Sequence, residues 1–284
     1  MEKKRILSDR LFPTGCLAEL VPFESGASRA TACGYVDRMR YAAVGDSFSE
    51  GLGDELPDGS QRGWADLVAA GLPGDDVRYA NFAVRGRLLR PIVEEQLEAA
   101  LTLSPAPTLI SLNGGGNDMM RPGTDTAALL TLIDRAVQRV VDAGIRLVVV
   151  AGPNPSQRLP FGGSIDRKGE IITSATADLA ARHGVEFVDV FHDEEIRRPP
   201  YWSADRLHLN AAGHQRAAGL VLSGLGYAQA AHMVDPGPAE PRRLRDEARY
   251  YREHVLPWVQ RRLQGKSSGD NRSGKYVTWT PIKA

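Results

Sequence analysis

Residues Tyr41 to Gly51 read YAAVGDSFSEG, an apolar run that ends in Gly-Asp-Ser. The apolar run is typical of a buried strand, and the residues after it are typical of a turn. Ser47 therefore stands at a predicted strand end, where a nucleophile can sit. Asp46 and Ser47 are also ordinary turn and helix-capping residues, so the stretch needs support from the rest of the chain.

The chain beyond this stretch alternates short apolar runs with longer amphipathic ones, which predicts an α/β fold of βαβ units around a mainly parallel sheet. Five strands are predicted, at 41–46, 77–84, 108–112, 146–151 and 185–190. Helices are predicted near 64–70, 88–103, 125–143, 167–183 and 211–222. Gly144 and Gly184 each stand between a predicted helix and the next strand, where glycine favours a helix end.

Length and composition are those of a soluble globular protein, with 284 residues of which 42% are hydrophobic and 25% charged. Basic and acidic residues number 35 each, so net charge gives no reason to expect nucleic acid or an anionic membrane as a partner. A small molecule is the expected partner. Cys16 and Cys33 are too few to hold a fold of this size together.

The two ends of the chain are predicted to lie outside the main domain, which spans 39–234. Residues 1–38 are expected to be a disordered leader, or not native if translation starts at Met39. Polar residues from Ser8 to Arg10 interrupt the apolar stretch that a secretion signal would need, and no later run is long and apolar enough to span a bilayer. The sequence therefore predicts a cytoplasmic protein. Residues 235–284 are predicted to form a proline-rich linker, a basic amphipathic helix and a tail that is disordered from about Gly265.

Polar clusters follow the predicted strands, at the point where each strand ends. They are Gly45-Asp46-Ser47, the segment 81–86 and the segment 114–118, while Asp205-Arg206-Leu207-His208 stands in a longer loop after the fifth strand. Because parallel strands end at one edge of the sheet, where open α/β sheets bind ligands, we expect these clusters to meet there.

The clusters contain the parts of a serine nucleophile. A serine hydroxyl needs a base to accept its proton, and that base needs an orienting acid. His208 and Asp205 can supply both, with Asp189 and Asp193 as the other candidates for the acid. The oxyanion of the reaction needs preorganised donors, each worth about 100- to 1,000-fold in turnover. The candidate donors are the Ser47 and Gly86 backbone N–H groups and the Asn117 side-chain amide.

Other interpretations of the same residues have less support. The GGGND segment lacks the spacing of a phosphate-binding loop, and no second ligand cluster accompanies Asp205 and His208 as a metal site would require. The nucleophile elbow of α/β-hydrolases reads G-x-S-x-G, whereas Ser49 occupies the position of its second glycine. Arg85, Arg87 and Arg121 near the same edge are either solvated or positioned to meet an anionic substrate.

The four blocks GDSFSEG, NFAVRG, GGND and DRLH, in this order, resemble those of the SGNH hydrolases, also called the GDSL esterase and lipase family. The resemblance covers about residues 41 to 222. It implies a flavodoxin-like three-layer αβα sandwich, no metal or organic cofactor, and a small-molecule ester substrate that is cleaved through an acyl-serine. It also assigns Ser47, Asp205 and His208 to catalysis, and Ser47, Gly86 and Asn117 to the oxyanion hole. An acyltransferase that uses the same acyl-serine and a non-catalytic binding module remain the alternatives.

Overall fold

The computed structural model describes residues 38–159, 162–227, 235–238, 249–257, 260 and 267–282. One sheet runs through this part of the chain, with its strands in the order β5-β4-β3-β1-β2-β6. The strands are β1 (Arg40–Val44), β2 (Arg78–Asn81), β3 (Leu109–Leu112), β4 (Arg146–Ala151), β5 (Glu186–Asp189) and β6 (Tyr276–Pro281). The first five pair with one another in parallel, and β6 pairs with β2 in the antiparallel direction.

Helices connect the parallel strands, and one more follows β5. They are α1 (Ser47–Glu50), α2 (Trp64–Gly71), α3 (Leu89–Pro91), α4 (Glu98–Leu101), α5 (Gly116–Met119), α6 (Thr126–Asp142), α7 (Gly162–His183) and α8 (Ala211–Gly224). A π-helical turn, Ile92–Leu97, joins α3 to α4. The helices α6 and α7 end before Gly144 and Gly184, whose φ angles are 67° and 65°, as the sequence predicted.

Alternating residues of β1 pack into two different hydrophobic cores, because successive side chains of a strand point to opposite faces. Tyr41 and Ala43 lie in a core formed with α2 and α8. Ala42 and Val44 lie in the other core, which α6, α7 and the helical segment from α3 to α4 cover. Helices therefore lie on both faces of the sheet, and the predicted three-layer αβα sandwich is confirmed.

The sixth strand corrects the prediction of a five-stranded sheet and a disordered tail. β6 pairs Tyr79 with Thr280, and Ile282 N–H donates to the Val77 carbonyl oxygen at 3.0 Å. The sheet thus extends beyond the predicted domain boundary at residue 234. The run YVTWTP consists largely of β-forming residues, but it becomes a strand only by pairing with the edge of β2, which is far from it in sequence. Residues 1–37 and most of the predicted basic helix lie outside the described residues.

The longest helices of the described chain, α6 and α7, carry charged residues along their length. No helix in the described ranges combines the length and apolarity needed to cross a lipid bilayer.

Candidate active site

Ser47 is the first residue of α1, at the point where β1 ends. The side chain of Asp46 caps this short helix by accepting from the Phe48 N–H at 3.1 Å. Gly51 ends it in the left-handed conformation, with φ at 97°. A Cβ at Gly51 would lie 2.0 Å from the Arg62 carbonyl oxygen, so only glycine fits there. The turn is thus fixed on both sides of the serine.

His208 lies between the serine and an acid, as the sequence predicted. Its Nε2 is 2.9 Å from Ser47 Oγ, and its Nδ1 is 2.5 Å from Asp205 Oδ2. With the Nδ1 proton donated to the carboxylate, Nε2 is free to accept the serine proton. The three side chains therefore have the geometry of a nucleophile, a base and an orienting acid.

Asp205 stays ionised because its loop surrounds it with donors. Its Oδ1 accepts from the Ser203 hydroxyl at 2.6 Å and from the Leu207 and His208 N–H groups at 3.0 Å each. Burial opposes ionisation, but the hydrogen bond and charge of His208 outweigh it and hold the pKa of Asp205 well below its usual value. The carboxylate is thus available to orient the imidazole.

The other candidate acids are bound elsewhere. Asp189 bonds the His192 ring at 2.7 Å, and Asp193 forms a salt bridge with Arg216 at 2.7 Å. Asp205 is therefore the carboxylate that contacts His208.

The predicted oxyanion donors differ in their surroundings. Among the described residues, neither the Ser47 nor the Gly86 N–H has a hydrogen-bond partner. Gly86 follows β2 with φ at 75°, but it is not among the residues that line the cavity at Ser47. Asn117 does line that cavity, and its Nδ2 donates to Asp46 Oδ2 at 3.2 Å and to the Arg87 carbonyl at 3.0 Å. Asn117 must release one of these partners to bind an oxyanion.

A cavity of about 110 Å³ opens at Ser47, His208 and Asn117. It extends toward α6 and α7, where its wall is mainly apolar and consists of Met119, Met120, Ile133, Val149, Val150, Ile165, Ile172 and Phe191. Thr173, Thr176 and Asn113 add polar atoms to the wall, and Thr176 Oγ1 is buried without a hydrogen-bond partner among the described residues. The cavity is suited to hold a mainly apolar group next to the Ser47 hydroxyl.

Comparison with known families agrees with the four sequence blocks. Residues 43–216 match the GDSL-like lipase/acylhydrolase family. The chain belongs to this family. It is therefore an SGNH-type hydrolase, with three of its sequence blocks at the ends of β1, β2 and β3 and the fourth in the loop between β5 and α8. A search of curated proteins found no match for the chain.

Solved structures similar to this SGNH hydrolase include TesA, which is 25% identical, with 66% of this chain and 98% of TesA covered at a TM-score of 0.55. The acetylxylan esterase Axe2 from Geobacillus stearothermophilus is 16% identical, with 68% and 97% covered and a TM-score of 0.56. The psychrotrophic esterase EstA from Pseudoalteromonas sp. is 18% identical, with 66% and 96% covered and a TM-score of 0.52. At these identities, the similarity to Axe2 and EstA shows a shared fold alone.

Two residues of the SGNH hydrolase differ from their sequence interpretation. Asp46 does more than shape the turn, because its carboxylate joins the Ser47 helix to Asn117. Burial raises the pKa of Asp46 to about 6, against the opposing effects of the Phe48 N–H and the His208 charge. Arg85, one of the cations considered for an anionic substrate, instead binds the Glu50 carboxylate at 2.6 Å. In the sequence, the position of Asp46 next to Ser47 was the one sign of its contact in the site, and no local pattern indicated the contact of Arg85 with Glu50.

Proposed function

We propose that this SGNH hydrolase cleaves carboxylic esters through an acyl-serine formed on Ser47. The observation that carries the proposal is the continuous contact from Asp205 through His208 to the Ser47 hydroxyl. An imidazole nitrogen held at hydrogen-bond distance from a hydroxyl is the arrangement required for general-base activation of a nucleophile.

The reaction begins when His208 Nε2 accepts the Ser47 proton and Oγ bonds to the ester carbonyl carbon. The carbonyl oxygen becomes an oxyanion, for which the Ser47 and Gly86 N–H groups and the Asn117 amide are the proposed donors. The bond to the leaving alcohol then breaks, and His208 gives that alcohol the proton. Water, with its proton taken by His208, attacks the acyl-serine to release the acid and restore Ser47.

The cavity supports a short or medium acyl group as the substrate's acid part. Its volume of about 110 Å³ is small beside the roughly 300–1,000 Å³ of pockets that take drug-sized ligands. Axe2 has catalytic mutants at a serine, an aspartate and a histidine, with the aspartate three positions before the histidine, the same spacing as Asp205 and His208. Axe2 is described as an acetylxylan esterase, so its acyl group is also small.

The test combines a serine-directed fluorophosphonate label with nitrophenyl esters whose acyl chains run from two to about sixteen carbons. We expect Ser47→Ala to lose the label and nearly all turnover, while its circular dichroism spectrum stays that of the native protein. We also expect faster turnover of the short and medium acyl chains than of the longest ones, because the cavity is small. A Ser47→Ala variant that keeps most of its esterase rate refutes the proposal. Product ratios with an added alcohol acceptor separate hydrolysis from acyl transfer.

A further inference from the structure

The C-terminal segment 267–275 packs directly on the loop that carries Gly86. A Cβ at Gly274 would lie 2.5 Å from the Asn81 carbonyl oxygen, and a Cβ at Gly269 would lie 2.0 Å from the Arg85 carbonyl oxygen. Real Cβ atoms do not come so close, so backbone lies against backbone at both positions. The segment therefore follows the Gly86 loop beyond the end of β2.

Lys275 reaches from this segment to the turn after the nucleophile. Its Nζ donates to the carbonyl oxygens of Glu50, Gln61 and Arg62 at 2.9, 3.0 and 2.7 Å, and to the Asp66 carboxylate at 2.6 Å. The side chains of Lys275 and Asp66 are only 18% and 15% exposed. A lysine is rarely so buried unless its charge is paired and its protons are accepted, and this site meets both conditions.

Glu50 connects these contacts to the catalytic groups. It is the last residue of α1, which begins with Ser47. Its carboxylate accepts from the Arg85 N–H at 2.6 Å and from the Arg85 guanidinium at 2.6 Å. Arg85 is the neighbour of Gly86 in the sequence. The carbonyl of Glu50 is thus held by Lys275, and its carboxylate holds the loop that presents the Gly86 N–H.

We propose that Lys275 is a positioning residue, which fixes the Ser47 helix relative to the Gly86 loop through Glu50. The proposal rests on the catalytic roles proposed above for Ser47 and Gly86. Residues 267–281 lie beyond the 43–216 that match the family, so this hydrolase takes part of its catalytic framework from outside the family's common region. The parts of this framework that lie far from Ser47 in sequence are Lys275 and the edge strand β6.

The experiment compares Lys275→Met, the double variant Lys275→Met/Asp66→Asn, and a control, Val277→Ala, two residues further along in β6, where the side chain is exposed. Each full-length variant is assayed with a nitrophenyl butyrate ester for kcat and KM, and unfolded in urea for stability. We expect Lys275→Met to lower kcat about tenfold or more with KM nearly unchanged, because misplaced donors weaken transition-state binding. Its unfolding midpoint also falls, because Asp66 is left buried and unpaired. Val277→Ala leaves kcat unchanged.

The double variant separates positioning from stability. Asp66→Asn removes the unpaired charge, so the urea midpoint returns toward the wild-type value, whereas kcat stays low because the Glu50 carbonyl still lacks its donor. Recovery of kcat together with the midpoint, or an unchanged kcat in Lys275→Met, overturns the proposal. Ser47→Ala in the same assay tests the proposed function independently. If Ser47→Ala is inactive and the Lys275 variants retain full kcat, only the positioning role fails.

Discussion

His214 provides a quantitative prediction, because its surroundings accept only the neutral imidazole. It is fully buried on α8, where its Nδ1 accepts from the Trp64 N–H at 3.2 Å and its Nε2 donates to the Leu52 carbonyl at 2.9 Å. A second ring proton on Nδ1 would face the Trp64 N–H, which is also a donor. Burial lowers the pKa of His214 from 6.5 to about 4, against the smaller opposing effects of Leu52 and Asp54.

The lowered pKa of His214 makes the free energy of unfolding depend on pH. In the unfolded chain the imidazole gains a proton as the pH falls through 6.5, whereas in the folded protein it stays neutral until about 4. The unfolded state therefore binds more protons between pH 6.5 and about 4, and the folded protein becomes less stable as the pH decreases through this range. Between pH 7 and pH 5, the free energy of unfolding is expected to drop by about 2 kcal/mol on account of this one group.

The assay is urea unfolding of the wild type and His214→Gln at pH 7 and pH 5. Glutamine cannot titrate, so the variant should lose about 2 kcal/mol less than the wild type over this range, although it is less stable at pH 7. The difference between the two proteins cancels the contributions of other titrating groups.

His192→Gln is the matched control with the opposite sign. Hydrogen bonds from His192 to Glu170 and Asp189 raise its pKa above 6.5, against the opposing effect of burial, so its stabilisation is present at low pH and is lost as the pH rises through the folded pKa. Removing it should therefore increase the loss of stability between pH 7 and pH 5. Equal losses in the wild type and His214→Gln would refute the reasoning, as would an NMR titration of the His214 ring near its unfolded value.

The other predictions concern turnover at the site. Asp205→Asn should lower kcat by about 10⁴-fold, because the imidazole loses the carboxylate that sets its tautomer, and an unchanged kcat measured by ester hydrolysis would exclude Asp205 as the acid. Asn117→Ala should lower kcat by about 100-fold with little change in KM if its amide binds the oxyanion, whereas a KM effect alone would place it in substrate binding. Thr176→Phe should fill the cavity and lower kcat/KM for octanoyl relative to acetyl esters by about tenfold or more, as measured with the nitrophenyl series; an unchanged ratio would place the acyl chain elsewhere.

The fold and the central site could be predicted because their signals are local. Each parallel strand is an apolar run with a helix pattern after it, and the chemical groups follow the strand ends in short blocks. Ser47 and His208 are separated by 161 positions, but the topology of a parallel sheet brings their blocks to one edge.

The rest depends on contacts that no local pattern encodes. Lys275 and Glu50 are 225 positions apart, and neither stands in a motif that would pair them. β6 likewise needs the free edge of β2, which appears only once the sheet is assembled. The sequence shows Asp46 only as a turn residue, because its contact with Asn117 depends on how two strand ends lie side by side.

The antiparallel pairing of β6 has a consequence for how this enzyme behaves when shortened. Without β6, the β2 edge from Arg78 to Asn81 would present unpaired N–H and C=O groups, which are a template for adding a strand from another molecule. A truncated chain would then self-associate, and its loss of activity would mix aggregation with any change at Ser47. By covering the β2 edge, β6 thus prevents this self-association. Single substitutions are therefore better suited than deletions to define the part of β6 in catalysis.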